Sequence, residues 1–99
     1  MKRLKPEVRK LEILEAMLPL AEKHGYEFVT RNMIGEALGI TGNAVQYHFG
    51  AMGALRNEFM RFAVRNEILP IIAQGVARGE KRALRAPEEL KVRAVQSLL

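Results

Sequence analysis

The 99 residues contain no cysteine and no aspartate, a single serine, two threonines and two histidines. Each shortage removes a class of chemistry. Without cysteine there is no disulfide framework, no thiolate metal site and no cysteine nucleophile, a usage that fits a reducing cytosol. Without aspartate, an acid/base pair has only glutamate and histidine to draw on, and no spacing singles one out. Ser97, Thr30 and Thr41 are thinly scattered, and His24 and His48 do not form a metal-ligand spacing such as His-x-x-x-His. The expectation is therefore not an enzyme, with no metal and no cofactor. Apolar residues never run unbroken for about 18 positions, so no membrane span is expected. The basic start, MKRLKPEVRK, lacks the apolar core of a signal peptide. A soluble cytoplasmic protein is the simplest reading.

The charge that is present leans one way. Sixteen basic residues face eleven acidic ones, for a net charge of +5. Lys2, Arg3, Lys5, Arg9 and Lys10 crowd the first ten residues against Glu7 alone. Such an arm suits a polyanionic partner, and it equally suits a plain solvated end.

Glycine divides the rest. Gly25, Gly39, Gly50 and Gly79 each follow an apolar, helix-like segment, where a C-terminal cap needs a positive φ. No stretch alternates with a two-residue period, so the fold is expected to be all-α, with about five helices. Helix 1 is expected at about 7–24, with Leu4, Val8, Leu11, Leu14, Leu18 and Ala21 as its apolar stripe and a kink or break at Pro19. Helices 2 and 3 are expected at 31–38 and 42–48 or 49. Each follows a threonine, Thr30 or Thr41, whose hydroxyl can cap the first turn. Each also has the spacing of a hydrophobic staple, Val29 with Ile34 and Ile40 with Val45. Helix 4 is expected at about 53–69, followed by ILPIIA (68–73), kinked at Pro70, as core or partner surface. The charged residues after Gly79 read as a loop. A last helix is expected at about 87–98, with Pro87 in its first turn. In domain terms, 1–50 is a basic arm plus a helix pair, and 51–99 supplies supporting helices and a candidate dimer surface, all within one structural domain.

Two short helices joined by Gly39-Ile40-Thr41 have the parts of a helix-turn-helix, whose second helix enters the major groove. The bland alternative is a helical hairpin that serves only packing. Asn43 and Gln46 can each pair with adenine, and Ala44 can touch a thymine methyl.

From about residue 13 to 55, the text ILEAMLPLAEKHGYEFVT followed by RNMIGEALGITGNAVQYHFGAMGAL resembles the DNA-binding region of TetR-type transcriptional regulators. The matching pieces are KHGY at the end of helix 1, the threonine cap, Ile34-Gly35 for an Ile-Ala pair, Leu38-Gly39-Ile40-Thr41 for Ala-Gly-Val-Ser, and the Tyr-x-His-Phe-type ending. The resemblance implies a sequence-specific regulator of double-stranded DNA, a repressor acting as a homodimer. It implies that Thr30, Arg31 and Asn32 touch phosphate or an adjacent base, and that Thr41 caps helix 3 beside a phosphate. Gly42, Asn43, Ala44 and Gln46 would face the groove, Tyr47 and His48 would grip the backbone, and Phe49 would be core. Lys2, Arg3 and Lys5 would add attraction from the arm.

Five departures stand out. Helix 3 has no lysine or arginine for a bidentate guanine contact. Gln46 stands where the family often has tyrosine, Met52 where it often has lysine, and Ala51 where it often has serine. Phosphate attraction then falls to the arm, Arg31 and Arg56. The fifth is length. The family's long C-terminal ligand-binding domain looks truncated here, so no enclosed small-molecule pocket is expected, and dimerisation would use ILPIIA or the last helix. Two rival functions remain: a protein-interaction module on the same scaffold, and an accessory DNA-binding factor in replication or recombination. Among individual residues, His24 is expected to be exposed, and Met17, Met33, Met52 and Met60 to fill core or interface. Arg61 and Arg65 should form a solvated face with Glu58, and the basic stretch KRALR (81–85) reads as a surface loop, with a second anion contact as the alternative.

Overall fold

Proline at position 6 opens the first helix, where a missing N–H costs little because first-turn donors have no partner within a helix. The computed structural model describes residues 5–99 and consists of helices, turns and connecting segments. Lys2, Arg3 and Leu4 lie outside the described residues. In order, α1 is Pro6–His24, a 3₁₀ turn is Tyr26–Phe28, α2 is Arg31–Leu38, α3 is Gly42–Phe49, α4 is Met52–Arg65, α5 is Leu69–Ala77, α6 is Lys81–Leu84 and α7 is Glu88–Gln96. The all-α expectation holds. The helix count is higher than expected because ILPIIA starts a helix of its own and KRALR forms a short one.

The chain divides into two compact units, one ending at Leu55 and the other covering Arg56–Leu99, with the division inside α4. In the first unit, α1 packs against the 3₁₀ turn, α2 and α3. Its buried side chains include Ile13, Leu14, Met17, Ala21, Tyr26, Val29, Ile34 and Val45. Two expectations for α1 are narrowed. Of the kink or break expected at Pro19, the break does not occur. An interior proline costs about 3 kcal/mol, but each large aliphatic side chain fully buried contributes about 1.5–3 kcal/mol. Ile13, Met17 and Ala21 are completely buried on both sides of the proline, which is enough to hold the helix together. The buried stripe keeps Leu14 and Ala21 of the expected one but is otherwise shifted. Val8 and Leu11 are 46% exposed, while Ile13 and Met17 are covered. Two apolar rows overlap on this helix, and only the row that meets α2 and α3 is buried.

In the second unit, α5 packs against α6 and α7. Ile71, Ile72 and Ala73 are buried, so this part of ILPIIA is core rather than a partner surface. Pro70 falls in the first turn of α5, where it is tolerated, so it starts a helix instead of kinking one. Helix α4 stops earlier than expected. Glu67 takes a positive φ of 52°, the Ile68 N–H donates to the Ala63 carbonyl at 2.9 Å, and the Asn66 side-chain amide donates to the Phe62 carbonyl at 2.8 Å. This is a left-handed helix ending made without glycine. The segment after Gly79 is not a loop. The Glu80 carboxylate accepts from the Arg82 and Ala83 N–H groups at 2.7 and 3.0 Å, which caps α6.

Candidate nucleic-acid interface

Thr30 and Thr41 cap α2 and α3 in the same way. The Thr30 hydroxyl accepts from the Met33 N–H at 3.2 Å, and the Thr41 hydroxyl accepts from the Ala44 N–H at 3.1 Å. A threonine oxygen that accepts still has its own O–H to donate, so both caps keep a donor for an outside acceptor. The Thr30 N–H donates to the Met33 sulfur at 3.4 Å, closing a reciprocal box in which a thioether stands where glutamate or glutamine usually does. Both staples are formed from covered side chains: Val29 and Ile34 are fully buried, Val45 is 1% exposed and Ile40 is half-buried.

The turn between the two helices is a Schellman ending. Gly39 is left-handed at φ 72°, ψ 30°. The Ile40 N–H donates to the Gly35 carbonyl at 2.9 Å, and the Gly39 N–H donates to the Glu36 carbonyl at 3.4 Å. Gly35 is buried beneath this turn. A Cβ on it would lie 2.6 Å from the Ile40 carbonyl oxygen and 3.2 Å from the Gly42 nitrogen. The turn can therefore close down onto α2 because residue 35 has no side chain. At the start of α3, the Asn32 side chain fills the space that a Cβ on Gly42 would need, and Arg31 packs alongside. Backbone hydrogen bonds thus tie the turn to α2, and side-chain contact ties α2 to the first turn of α3.

Helix α3 has an inner and an outer face. Val45 is buried, and Gly42, Ala44, His48 and Phe49 are half-buried. Asn43, Gln46 and Tyr47 are exposed, Tyr47 at 84%. Their spacing of three and four puts them on one side of the helix. The outer face is polar and uncharged. Thr30, Arg31, Asn32 and Thr41 are exposed at the ends of α2 and α3, and Lys5 is exposed at the start of α1.

Phe49 differs from expectation. It is half-buried rather than fully in the core. The Lys10 ammonium lies 5.7 Å from its ring centroid, a cation–π contact that shields one ring face. His48 meets the Tyr47 ring edge-on at 5.2 Å between centroids. Burial, and then the positive charges of Arg9 and Lys10, hold the His48 pKa below the ordinary histidine value. Two basic residues of α1 therefore stand beside the end of α3.

Comparison with protein-family models, curated proteins and solved structures gives no match. The structure brings Thr30, Arg31, Asn32, Thr41, Gly42, Asn43, Ala44, Gln46, Tyr47 and His48 together on α2, α3 and their caps. Sequence reasoning missed Arg9 and Lys10 as neighbours of His48 and Phe49. Their contribution to the basic start was visible, but a neighbour nearly forty positions away has no local signal. Arg56, an expected phosphate contact, is half-buried with its Nε unpaired. Among the described residues no three His, Cys, Asp or Glu side chains converge as a metal-binding group, and no helix is long and apolar enough to cross a membrane.

Proposed function

We propose that this chain is a TetR-type, sequence-specific regulator that binds double-stranded DNA and represses transcription by occluding a promoter. The observation that carries the proposal is the outer face of α3: Asn43, Gln46 and Tyr47 are exposed on a helix fixed to α2 by a Schellman turn and a threonine cap. A reading helix must present base-pairing groups in a rigid frame, because each misplaced contact loses its selectivity. Asn43 and Gln46 read adenine, and Ala44 touches a thymine methyl. Arg31, Asn32, Lys5 and the hydroxyls of Thr30 and Thr41 hold phosphates, and Tyr47 and His48 grip the backbone beside them. Gly42 lets Asn32 lie against the start of α3. A homodimer on a two-fold site doubles these contacts. Its interface is the outer side of α7, where Val92 and Val95 are 45% and 44% exposed and Leu98, just beyond, is 65% exposed.

Selection of bound sequences from a random duplex library tests the reading, and the symmetry of the selected site reports the dimer. Affinity for the selected site should fall with salt, with a log–log slope of about 0.9 per phosphate contacted. Gln46→Ala should change base preference, whereas Arg31→Ala should weaken all sequences alike. A second reading, a protein-interaction module, is favoured by the lack of any lysine or arginine on α3 and the exposure of Tyr47. No duplex binding even at low salt would select that reading.

A further inference from the structure

We infer that the second unit holds a binding site for a small phosphorylated ligand, in the cleft where Arg61 and Arg65 of α4 face Arg82 and Arg85 of the α6 segment. The inference is independent of the DNA reading, which uses α2 and α3.

The cleft has a volume of about 470 Å³ and is lined by Glu58, Arg61, Val64, Arg65, Arg82 and Arg85. That size suits a small ligand, for which sites of about 300–1,000 Å³ are usual. Four guanidiniums line the cleft with the Glu58 carboxylate, and Glu80 pairs with Arg82 beside it, which leaves a surplus of two positive charges. The sequence places these residues together for local reasons. Arg61 and Arg65 are four apart on one helix face. Arg82 and Arg85 are brought opposite them because Glu80 turns the segment after Gly79 into a capped helix. Gly75 lets that helix approach α5, since a Cβ there would lie 2.6 Å from the Ala83 Cβ.

Half of this charge is already engaged. Arg61 pairs with Glu58 at 2.7 Å, and Arg82 pairs with Glu80 at 2.7 Å. Arg65 and Arg85 make no ion pair among the described residues. The Arg82 Nε is hidden from solvent and has no acceptor. Arg65 and Arg85, the two left without a counter-charge, add like charge to the cluster, and a polyanion relieves it. The planar two-donor edge of arginine matches the oxygens of a phosphate group, which makes phosphate the favoured chemistry. Val64 provides an apolar wall for the rest of the ligand. The volume of the cleft, that of a small-ligand site, favours a small phosphorylated group over a duplex.

Calorimetric titration of the full chain at low ionic strength tests the site, with inorganic phosphate, pyrophosphate and a mixed-sequence duplex as separate titrants. The expected result is one pyrophosphate per chain, bound more tightly than phosphate. Arg65→Gln/Arg85→Gln should weaken that binding at least ~10-fold, because charge-assisted bonds are lost, while the helical spectrum and melting temperature stay as they were. Glu58→Gln should tighten it about threefold by releasing Arg61 and removing a like charge from the ligand's path. Three results would overturn the inference: no pyrophosphate binding at millimolar concentration, unchanged affinity in the double variant, or a duplex that displaces pyrophosphate and itself fails to bind the double variant. The last would assign the four arginines to the DNA backbone. Absence of DNA binding by α3 would leave every one of these outcomes readable.

Discussion

Replacing Gly35 with alanine probes the packing beneath the helix-turn-helix. The position is inside α2 and buried, and the new methyl would sit 2.6 Å from the Ile40 carbonyl oxygen, 3.1 Å from the Thr41 carbonyl carbon and 3.2 Å from the Gly42 nitrogen. All three are backbone atoms, so no side chain can swing aside. To bring the closest of them back to ordinary contact, about 3.4 Å, the turn must move by about 0.8 Å. That motion pulls on the 2.9 Å hydrogen bond from Ile40 to Gly35. Overfilling a packed site costs about 1–3 kcal/mol, and alanine returns up to about 1 kcal/mol through helix propensity. Gly53→Ala supplies the reference, because it lies in α4 with nothing within 4 Å of its Cβ position. Propensity largely cancels between the two variants, leaving the clash, roughly 1–3 kcal/mol, as their difference. Chemical denaturation followed by helical circular dichroism measures it, and for a chain near this length each kcal/mol shifts the melting temperature by about 4–8 °C. If Gly35→Ala is as stable as Gly53→Ala, the turn does not bear down on α2 and the account of how α3 is held is wrong.

The remaining predictions concern single groups. Thr41→Ala should destabilise the protein by about 1 kcal/mol through loss of the α3 cap; Thr41→Ser should restore most of it, and equal losses in both would show that the hydroxyl is not the cause. Glu67→Gly should be neutral or stabilising, since a positive φ costs a non-glycine residue about 1–2 kcal/mol whereas the exposed Glu67–Arg93 ion pair contributes at most about 1 kcal/mol. A clear fall in denaturation midpoint would contradict this. His48 binds its proton less readily in the folded chain than in the unfolded chain, where it titrates near 6.5. Stability from this group is therefore complete above 6.5 and falls as pH drops through the lowered folded value. Denaturation at pH 7.5 and 5.5 should show that slope, and His48→Gln should remove its share; an identical pH slope in the variant would sink the assignment.

The sequence by itself determined what depends on three or four adjacent residues. Thr30 and Thr41 cap the helices they precede, the staple residues are covered, and Gly25, Gly39, Gly50 and Gly79 all take positive φ. A cap needs only its own first turn, so its signal is local and readable. Packing between distant segments set how far the buried stripe of α1 shifts from Val8 and Leu11 to Ile13 and Met17, that α1 is unbroken at Pro19, that Ile71 and Ile72 are core, and that Lys10 covers Phe49. It also decided that KRALR is a helix whose arginines face those of α4. Burial is set by whatever lies opposite a residue, and the opposite residue is distant in sequence. Glu67 marks the boundary between the two cases: a helix ending with no glycine to announce it, made where Asn66 closes α4 and Pro70 can only begin the next helix.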